Sequence, residues 1–377
     1  MSVIQLCAPL AVLLLISAGA ASAEPASSAR DPSDVAALIE SLHLQESDEA
    51  ARDWPGWRPP QRIAVWADGP ERLEWLQSVA PGVELVALRE GADVGAALRG
   101  AEAVIGICSE DVIAAGTDLR WVQVLTAGVE RCVSIPGMVE RDIRLTNMQR
   151  VAGPVMAEHV FALLLGLTRN VGTWIDAQRV GEWRRTEAER GRMVSLRGKT
   201  LLVAGLGGIG SEVARLGHAF EMEVIATRAS AREGPEYVSY VGLPHELNTL
   251  AKRANVVVNT VPLTPQTQRI FDAGFFAALP PGAIFINVGR GGSVDTAALM
   301  AALESGRLAG AGLDVTDPEP LPGDHPLWRR NDVIITPHVS AGSDAGREDR
   351  WLIARENLRR YVEGAPLLSV VDVKRGY

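Results

Sequence analysis

From residue 62 onward the chain alternates short apolar runs with stretches of helical character, and no other feature narrows its fold as much. Strands separated by helices close as a parallel sheet, because parallel neighbours need a crossover between them. One set of apolar runs falls at 62–67, 83–88, 103–107 and 121–125, followed by a long apolar helix over about 155–169. A polar stretch with Trp174 and Trp183 leads to a second set at 200–204, 223–227, 255–261, 283–288, 310–315 and 333–336. These six strands predict a doubly wound sheet of their own. The last helical stretch, 345–363, carries Trp351, Leu352, Ala354, Leu358 and Tyr361 and is expected to return onto the first domain.

The run LLVAGLGGIG (201–210) supplies G-x-G-x-x-G at Gly205, Gly207 and Gly210. Alone the motif is weak, but here it follows a buried strand and opens a helix expected over 211–220, the context in which it holds a dinucleotide pyrophosphate. Gly208 and Ile209 complete the loop. A carboxylate at the tip of the next strand would hold the ribose 2′-OH of NAD. This strand ends instead in Thr227 and Arg228, 18 residues past Gly210, with Ser230 and Arg232 nearby and no acid before Glu233. Guanidinium donors suit a phosphate dianion, so NADP is the favoured cofactor over NAD. The expected fold class is α/β: two doubly wound parallel-sheet domains. A Rossmann dinucleotide-binding domain (156–340) is inserted in a flavodoxin-like substrate domain (61–155 and 341–377).

Three further segments stand at expected strand ends: Gly289-Arg290-Gly291-Gly292, Asp314 through Glu319, and Thr336-Pro337-His338. Ligands of open α/β sheets bind outside the carboxyl ends of the strands, so these side chains should gather above the edge that carries the glycine loop. Together with NTVPLTPQT (259–267), INVGRGGSVD (286–295), GAGLDVTDPEPLP (310–322), TPHVSAGS (336–343), RWVQVLTAGVE (120–130), AEHVFALLLGLTRN (157–170) and the closing ENLRRYVEGAPLLSVVD (356–372), they run in a recognisable order. The chain from residue 62 to its end resembles the D-isomer-specific 2-hydroxyacid dehydrogenases, and within them the glyoxylate and hydroxypyruvate reductases.

The resemblance implies a role for each matching residue. Arg290 would pair with the substrate carboxylate and polarise the 2-oxo group, a task that suits its planar fork. His338 would be the general acid in reduction and the base in oxidation, since an imidazole with an ordinary pKa of about 6.5 can do either. Glu319 would hydrogen-bond His338 and orient it, and Asp314 would hold the nicotinamide carboxamide. Ala127, Gly128 and Val129 would offer backbone amides to the substrate carboxylate. Thr260, Val261, Pro262 and Thr267 would form a cofactor-contacting turn, with Val288 beside it. His159, on the apolar helix, reads as a core histidine. Glu221 stands where the family usually has glycine, which alters the turn into the strand ending at Thr227. The resemblance also implies a homodimer, with the long helix as the contact.

The chain has 377 residues, about two domains by length. Its 47% apolar and 22% charged content fits a folded protein with a sizeable core, and a net charge of −9 argues against nucleic acid or an anionic membrane as the main partner. Residues 1–23 have an apolar stretch and an Ala21-Ser22-Ala23 tract, the pattern of a secretory signal without its positive start. The stretch is short for a membrane span. If the signal is used the protein is exported, to a periplasm for example; otherwise it is cytoplasmic, where NADP(H) is plentiful. Residues 24–60 read as an arm or linker. Cys108 and Cys132 show no metal-ligand spacing and read as small core residues; no metal is expected. Two other functions stay open on the same fold: a dinucleotide-sensing binding protein, and a dehydrogenase for an unusual substrate such as formate or phosphite.

Overall fold

The computed structural model describes residues 34–186 and 193–375, and the secretory-signal reading of residues 1–23 lies outside them. A first strand, β1 (Glu46–Ala50), precedes a parallel group of β2 (Arg62–Trp66), β3 (Glu84–Leu88), β4 (Ala103–Ile105), β5 (Trp121–Gln123) and β6 (Arg144–Thr146). The second group is β7 (Thr200–Ala204), β8 (Glu223–Thr227), β9 (Tyr240–Gly242), β10 (Val256–Asn259), β11 (Ala283–Asn287), β12 (Leu308–Leu313) and β13 (Val333–Ile335). Two short strands, β14 (Pro366–Leu368) and β15 (Val370–Val371), follow near the end. One sheet has the order β15-β6-β5-β4-β2-β3 and the other β13-β12-β11-β10-β7-β8-β9. All pairings in the second are parallel, and in the first only β15 runs antiparallel, against β6. The strand order of the second sheet reverses beside β7, which is flanked by β8 and β10, the switch point at which ligands of such sheets bind.

The central strands of the second sheet are buried on both faces, which is why they read as unbroken apolar runs. Leu202, Val257 and Phe285 point into one core with Phe271, Phe275 and Phe276. Val203, Val258 and Ile286 point into another, against Leu163 and Leu164 of the helix Gly153–Thr168. The rings of Phe271 and Phe275 meet edge to face at 4.9 Å, and those of Phe276 and Phe285 at 5.4 Å.

The helix Asp344–Glu363 starts at Ser343, whose side chain accepts from the Gly346 N–H, and stops at Gly364 in the left-handed region. Trp351, Leu358 and Tyr361 lie in one core with Ile63, Val65 and Trp121. The rings of Trp121 and Tyr361 are 4.8 Å apart. Buried Asn357 donates to the Gln123 side-chain oxygen at 2.8 Å and accepts from the Leu368 N–H at 2.8 Å, so one amide joins β5, this helix and β14.

Besides β6, a strand of the first sheet that no apolar run announced, four features depart from the sequence expectations. The second sheet has seven strands rather than six, since the short edge strand β9 adds to it. The described part of the stretch expected as an arm, residues 34–60, is packed: β1 pairs with β14, and Leu44, Ala51 and Trp54 are buried in the core that contains Ile63. Glu221 takes the left-handed conformation (φ 58°) that glycine would take, so β8 still begins at Glu223. Cys108 and Cys132 are not two separate core residues but a disulfide, with Cα atoms 5.6 Å apart. They are 24 residues apart in the chain, and only the fold brings the end of β4 against the helix Glu130–Val133.

Candidate active site

The glycine loop sits at the switch point. Its turn is anchored by the Thr227 carbonyl, which accepts from the N–H groups of Gly205 (3.2 Å) and Leu206 (2.8 Å). The Thr227 side chain is buried. A Cβ on Gly210 would lie 2.1 Å from the Gly205 carbonyl oxygen, so the helix Gly208–Ala219 can approach β7 only without one. Gly207 precedes this 12-residue helix with no capping side chain, and a Cβ there would meet nothing within 4 Å. The first-turn N–H groups have no acceptor within the helix and lie at the positive end of its dipole, a cradle of the kind that fits a dinucleotide pyrophosphate. Ile209 packs partly against the core beneath. Thr260 closes the other wall, with its hydroxyl donating to the Gly205 carbonyl at 2.7 Å. The Val261 N–H donates to the Asn259 side chain, and the Pro262 carbonyl accepts from the Thr267 hydroxyl at 2.6 Å.

Arg228 directly follows β8, its backbone N–H bonded to Gly242 and its guanidinium donating to the Glu233 carbonyl at 3.1 Å. Arg232 is committed elsewhere. It forms an ion pair with Glu246 at 2.8 Å and donates to the Tyr240 hydroxyl. Glu246 accepts from Tyr240, from the Leu243 N–H and from Arg232, and its carboxyl is held down to about 2.

Arg290 leaves the sheet just past β11. Beneath it lies a buried amide cluster: Asn259 donates to the Asn287 oxygen (2.8 Å) and to Ser293 (2.7 Å). Asn287 donates to the Arg290 carbonyl and accepts from the Gly289 N–H, while Ser293 also donates to the Arg290 carbonyl at 2.7 Å. Val288 is buried and its N–H bonds to the Asn259 carbonyl. A Cβ on Gly291 would lie 1.9 Å from the Thr316 carbonyl oxygen, so the chain here can press against the β12 loop only as glycine. The Arg290 side chain crosses to the first domain, where a Cβ on Gly128 would fall 1.8 Å from its Nη2. Its partner there is Glu130: Nε to Oε1 is 3.0 Å and Nη2 to Oε2 is 3.1 Å. The Ala127 carbonyl accepts from Asn147 at 2.7 Å and the Gly128 carbonyl from Thr126 at 2.8 Å. Among the described residues, no protein group accepts from the N–H of Gly128 or Val129.

His338 follows β13, and its Nδ1 is 2.7 Å from Glu319 Oε1. The two side chains are about half exposed. The His338 backbone is left-handed (φ 55°), costly for a non-glycine residue by about 1 kcal/mol or more, and is held there by bonds from its N–H to the carbonyls of Asp314 and Thr336. Asp314 is the centre of this turn. Its wholly buried carboxylate accepts from the Thr336 hydroxyl (2.6 Å) and from the N–H groups of Val339 (2.9 Å) and Ser340 (3.1 Å). Burial opposes its charge, but hydrogen bonds from Ser340, Thr336 and the Val339 amide outweigh that and hold the carboxyl below its usual range. His159 is not sealed in the core: its Nε2 lies 2.9 Å from the Thr336 hydroxyl and 3.6 Å from Asp314.

The structure thus brings Arg290 together with the 127–129 loop and His338 with Glu319, both above the carboxyl edge of one sheet. β11 and β13 flank β12, two strand spacings or about 10 Å apart, so the groups they carry stand at strand ends separated by a single strand. Sequence reading passed over Asn259, Asn287 and Ser293, although an asparagine closing a run such as Val256-Val257-Val258 or Phe285-Ile286 is a signal: a polar group at a buried strand end needs partners. It also passed over Glu130, which no local pattern marks.

The model of the "D-isomer specific 2-hydroxyacid dehydrogenase, NAD binding domain" matches residues 161–340. A glyoxylate reductase from Aeropyrum pernix is 33% identical over 264 residues, 67% of this chain and 76% of that protein. The crystal structure of a D-isomer specific 2-hydroxyacid dehydrogenase from Xanthobacter autotrophicus, in complex with NADPH and MES, superposes with a TM-score of 0.72. The two share 30% identity over 84% of this chain and all of that one. An NADPH-dependent glyoxylate/hydroxypyruvate reductase from Sinorhizobium meliloti, in complex with NADP and sulfate, gives 0.70 at 28% identity, with 84% and 100% covered. With the strand-end site described above, these likenesses place the chain in the D-isomer-specific 2-hydroxyacid dehydrogenase family, NAD(P)-dependent oxidoreductases that act on CH–OH groups.

Proposed function

We propose that this enzyme reduces a small 2-oxo acid to the D-2-hydroxy acid and prefers NADPH. The observation that carries the reading is the His338–Glu319 hydrogen bond at the end of β13, two strands from Arg290. Gly205 to Gly210, Thr260 to Pro262 and Thr267 would hold the dinucleotide, which when bound supplies a hydride to the 2-carbon. Arg290 binds the substrate carboxylate and polarises the 2-oxo group, and the free amides of Gly128 and Val129 take the other carboxylate oxygen. His338, with Nδ1 fixed on Glu319, presents Nε2 and gives its proton to the oxygen that becomes the hydroxyl. Asp314, which the resemblance gave to the nicotinamide carboxamide, has its buried carboxylate engaged by Thr336, Val339 and Ser340, and its role in this reading is to hold the turn from which His338 projects. Arg228 at the tip of β8, with no acid in that place, supports the 2′-phosphate of NADPH, as do the solved relatives that contain NADP(H).

The test is loss of absorbance of NADPH and, separately, NADH, with glyoxylate, hydroxypyruvate, pyruvate and 2-oxoisocaproate as acceptors, on protein beginning at residue 24. Turnover with NADPH well above NADH supports the proposal. Preference for NADH sinks the Arg228 assignment alone. Binding of either cofactor with no turnover on any of these acids overturns the reductase reading. The homodimer is part of the same proposal, and light scattering on the purified protein reads it directly.

A further inference from the structure

Arg150 lies on the loop between β6 and the helix Gly153–Thr168, outside every motif of the sequence, and its side chain runs across the glycine loop. A Cβ on Gly208 would lie 2.8 Å from the Arg150 Cγ, 3.1 Å from its Cα and 2.6 Å from the Gln149 carbonyl oxygen. The loop from the first domain is therefore seated on the first residue of the helix, and only a residue without a side chain leaves room for the Arg150 stem. A Cβ on Gly153 would meet the Gly208 carbonyl oxygen at 3.1 Å, so the contact continues along the loop.

The Arg150 guanidinium is partly buried, and among the described residues no hydrogen bond or ion pair engages it. Burial disfavours its charge, and the nearby cation of Arg228 disfavours it further, while Glu212 favours it. Glu212 is itself paired with Arg215 at 2.9 Å. Two guanidiniums that repel each other, one without a partner and half out of water, are unfavourable unless an anion comes between them. They belong to different domains, and both border the cradle described for the dinucleotide.

We infer that Arg150 is a specificity-determining residue which, with Arg228, grips the 2′-phosphate of NADPH across the domain boundary. The inference rests on the NADPH reading of Arg228. Charge-assisted bonds from two guanidiniums to one dianion are the strongest neutralisation available there, and NADH offers no group in its place. Because Arg150 comes from the loop that leads into the cofactor domain, its grip also ties the first domain to the bound dinucleotide.

The test is equilibrium binding, by titration calorimetry, of NADPH, NADH and 2′,5′-ADP to the unaltered enzyme, Arg150→Gln, Arg150→Lys and Arg228→Gln. The expected result is a loss of about 10- to 50-fold in NADPH and 2′,5′-ADP affinity for Arg150→Gln, with NADH affinity within about twofold. Arg150→Lys should recover part of the loss, and it guards against misfolding because it keeps both stem and charge. Equal losses for NADPH and NADH would assign Arg150 to the pyrophosphate and overturn the inference. So would unchanged NADPH binding in Arg150→Gln while Arg228→Gln loses it. If the unaltered enzyme binds NADH better than NADPH, the cofactor reading fails first, and the inference with it.

Discussion

The guanidinium of Arg290 is clasped in parallel by the carboxylate of Glu130, Nε on Oε1 at 3.0 Å and Nη2 on Oε2 at 3.1 Å. This is the fork-on-fork geometry that a substrate carboxylate would use on the same arginine. On the proposed reading of Arg290, a bound oxo acid would displace Glu130, one carboxylate exchanging for another. Both side chains are about 30% exposed, so the pair itself is worth about 1 kcal/mol or less. Glu130→Gln should lower the KM for the oxo acid by about two- to fivefold and leave kcat within about twofold. A raised KM would show that Glu130 positions Arg290 rather than competes for it. Arg290→Lys, which keeps charge and loses the fork, should lower kcat/KM by about 100-fold or more.

Glu319 fixes one nitrogen of His338 and so decides which way the other points. Glu319→Gln should lower kcat by about 10- to 100-fold with little change in KM, because an amide can orient the ring but does not stabilise the imidazolium. His338→Asn should remove about 1,000-fold or more. Steady-state rates at saturating cofactor check both, and a Glu319→Gln enzyme with full kcat would separate this carboxylate from the chemistry.

The buried carboxylate of Asp314 makes the His338 turn sensitive to acid. Its folded-state pKa is depressed, so its stabilisation is fully present above the unfolded value of about 3.9 and is lost as pH falls through the folded value. Asp314→Asn should cost about 2–4 kcal/mol at neutral pH, since an amide cannot accept from all of Thr336, Val339 and Ser340. Urea denaturation of the two proteins from pH 7 down to 3 should show the gap constant to about pH 4 and narrowing below it. A gap that widens in acid would reverse the assigned sign.

The Cys108–Cys132 disulfide closes a loop of 24 residues that contains Gly128, Val129 and Glu130. A chain-entropy argument gives such a cross-link about 3 kcal/mol. Cys108→Ser should lower Tm by several degrees and, if the tethered loop receives the oxo acid as proposed, should raise the KM for the acid more than that for the cofactor. The same change produced in the unaltered enzyme by dithiothreitol would tie the effect to the cross-link. An unchanged Tm after reduction, verified by thiol titration, would count against the cross-link's contribution.

What could be read from the residues was whatever one short stretch decides for itself. The runs at 200–204 and 223–227 are β7 and β8 without a shift, because each has an apolar centre (Leu201–Ala204 and Val224–Ala226) and ends at the glycine loop or its neighbour. β9 went unseen: Tyr240-Val241-Gly242 is too short to show a period, and it is a strand only because β8 offers it an edge. β6 went unseen for a like reason, with Arg144 and Thr146 around a single leucine. The disulfide, the Glu130–Arg290 pair and the seat of Arg150 on Gly208 each join residues from separate parts of the chain, and nothing local announces them. Arg232 shows the converse. Its position beside Arg228 suggested a share in the phosphate site, yet Glu246 from the next turn holds it.

The pairing of β14 and β15 with β1 and β6 has a consequence for how the enzyme comes into being. Trp351 and Tyr361 fill the core begun by Ile63, so the first sheet cannot be finished until β14 and β15 have left the ribosome. The seven-stranded half is contiguous from Gly153 to Ile335 and depends on no such late arrival. In vectorial synthesis the nucleotide-binding half is therefore ready first, while the earlier-made half waits with its apolar face uncovered. The nascent enzyme acquires its place for the dinucleotide before it has one for the acid.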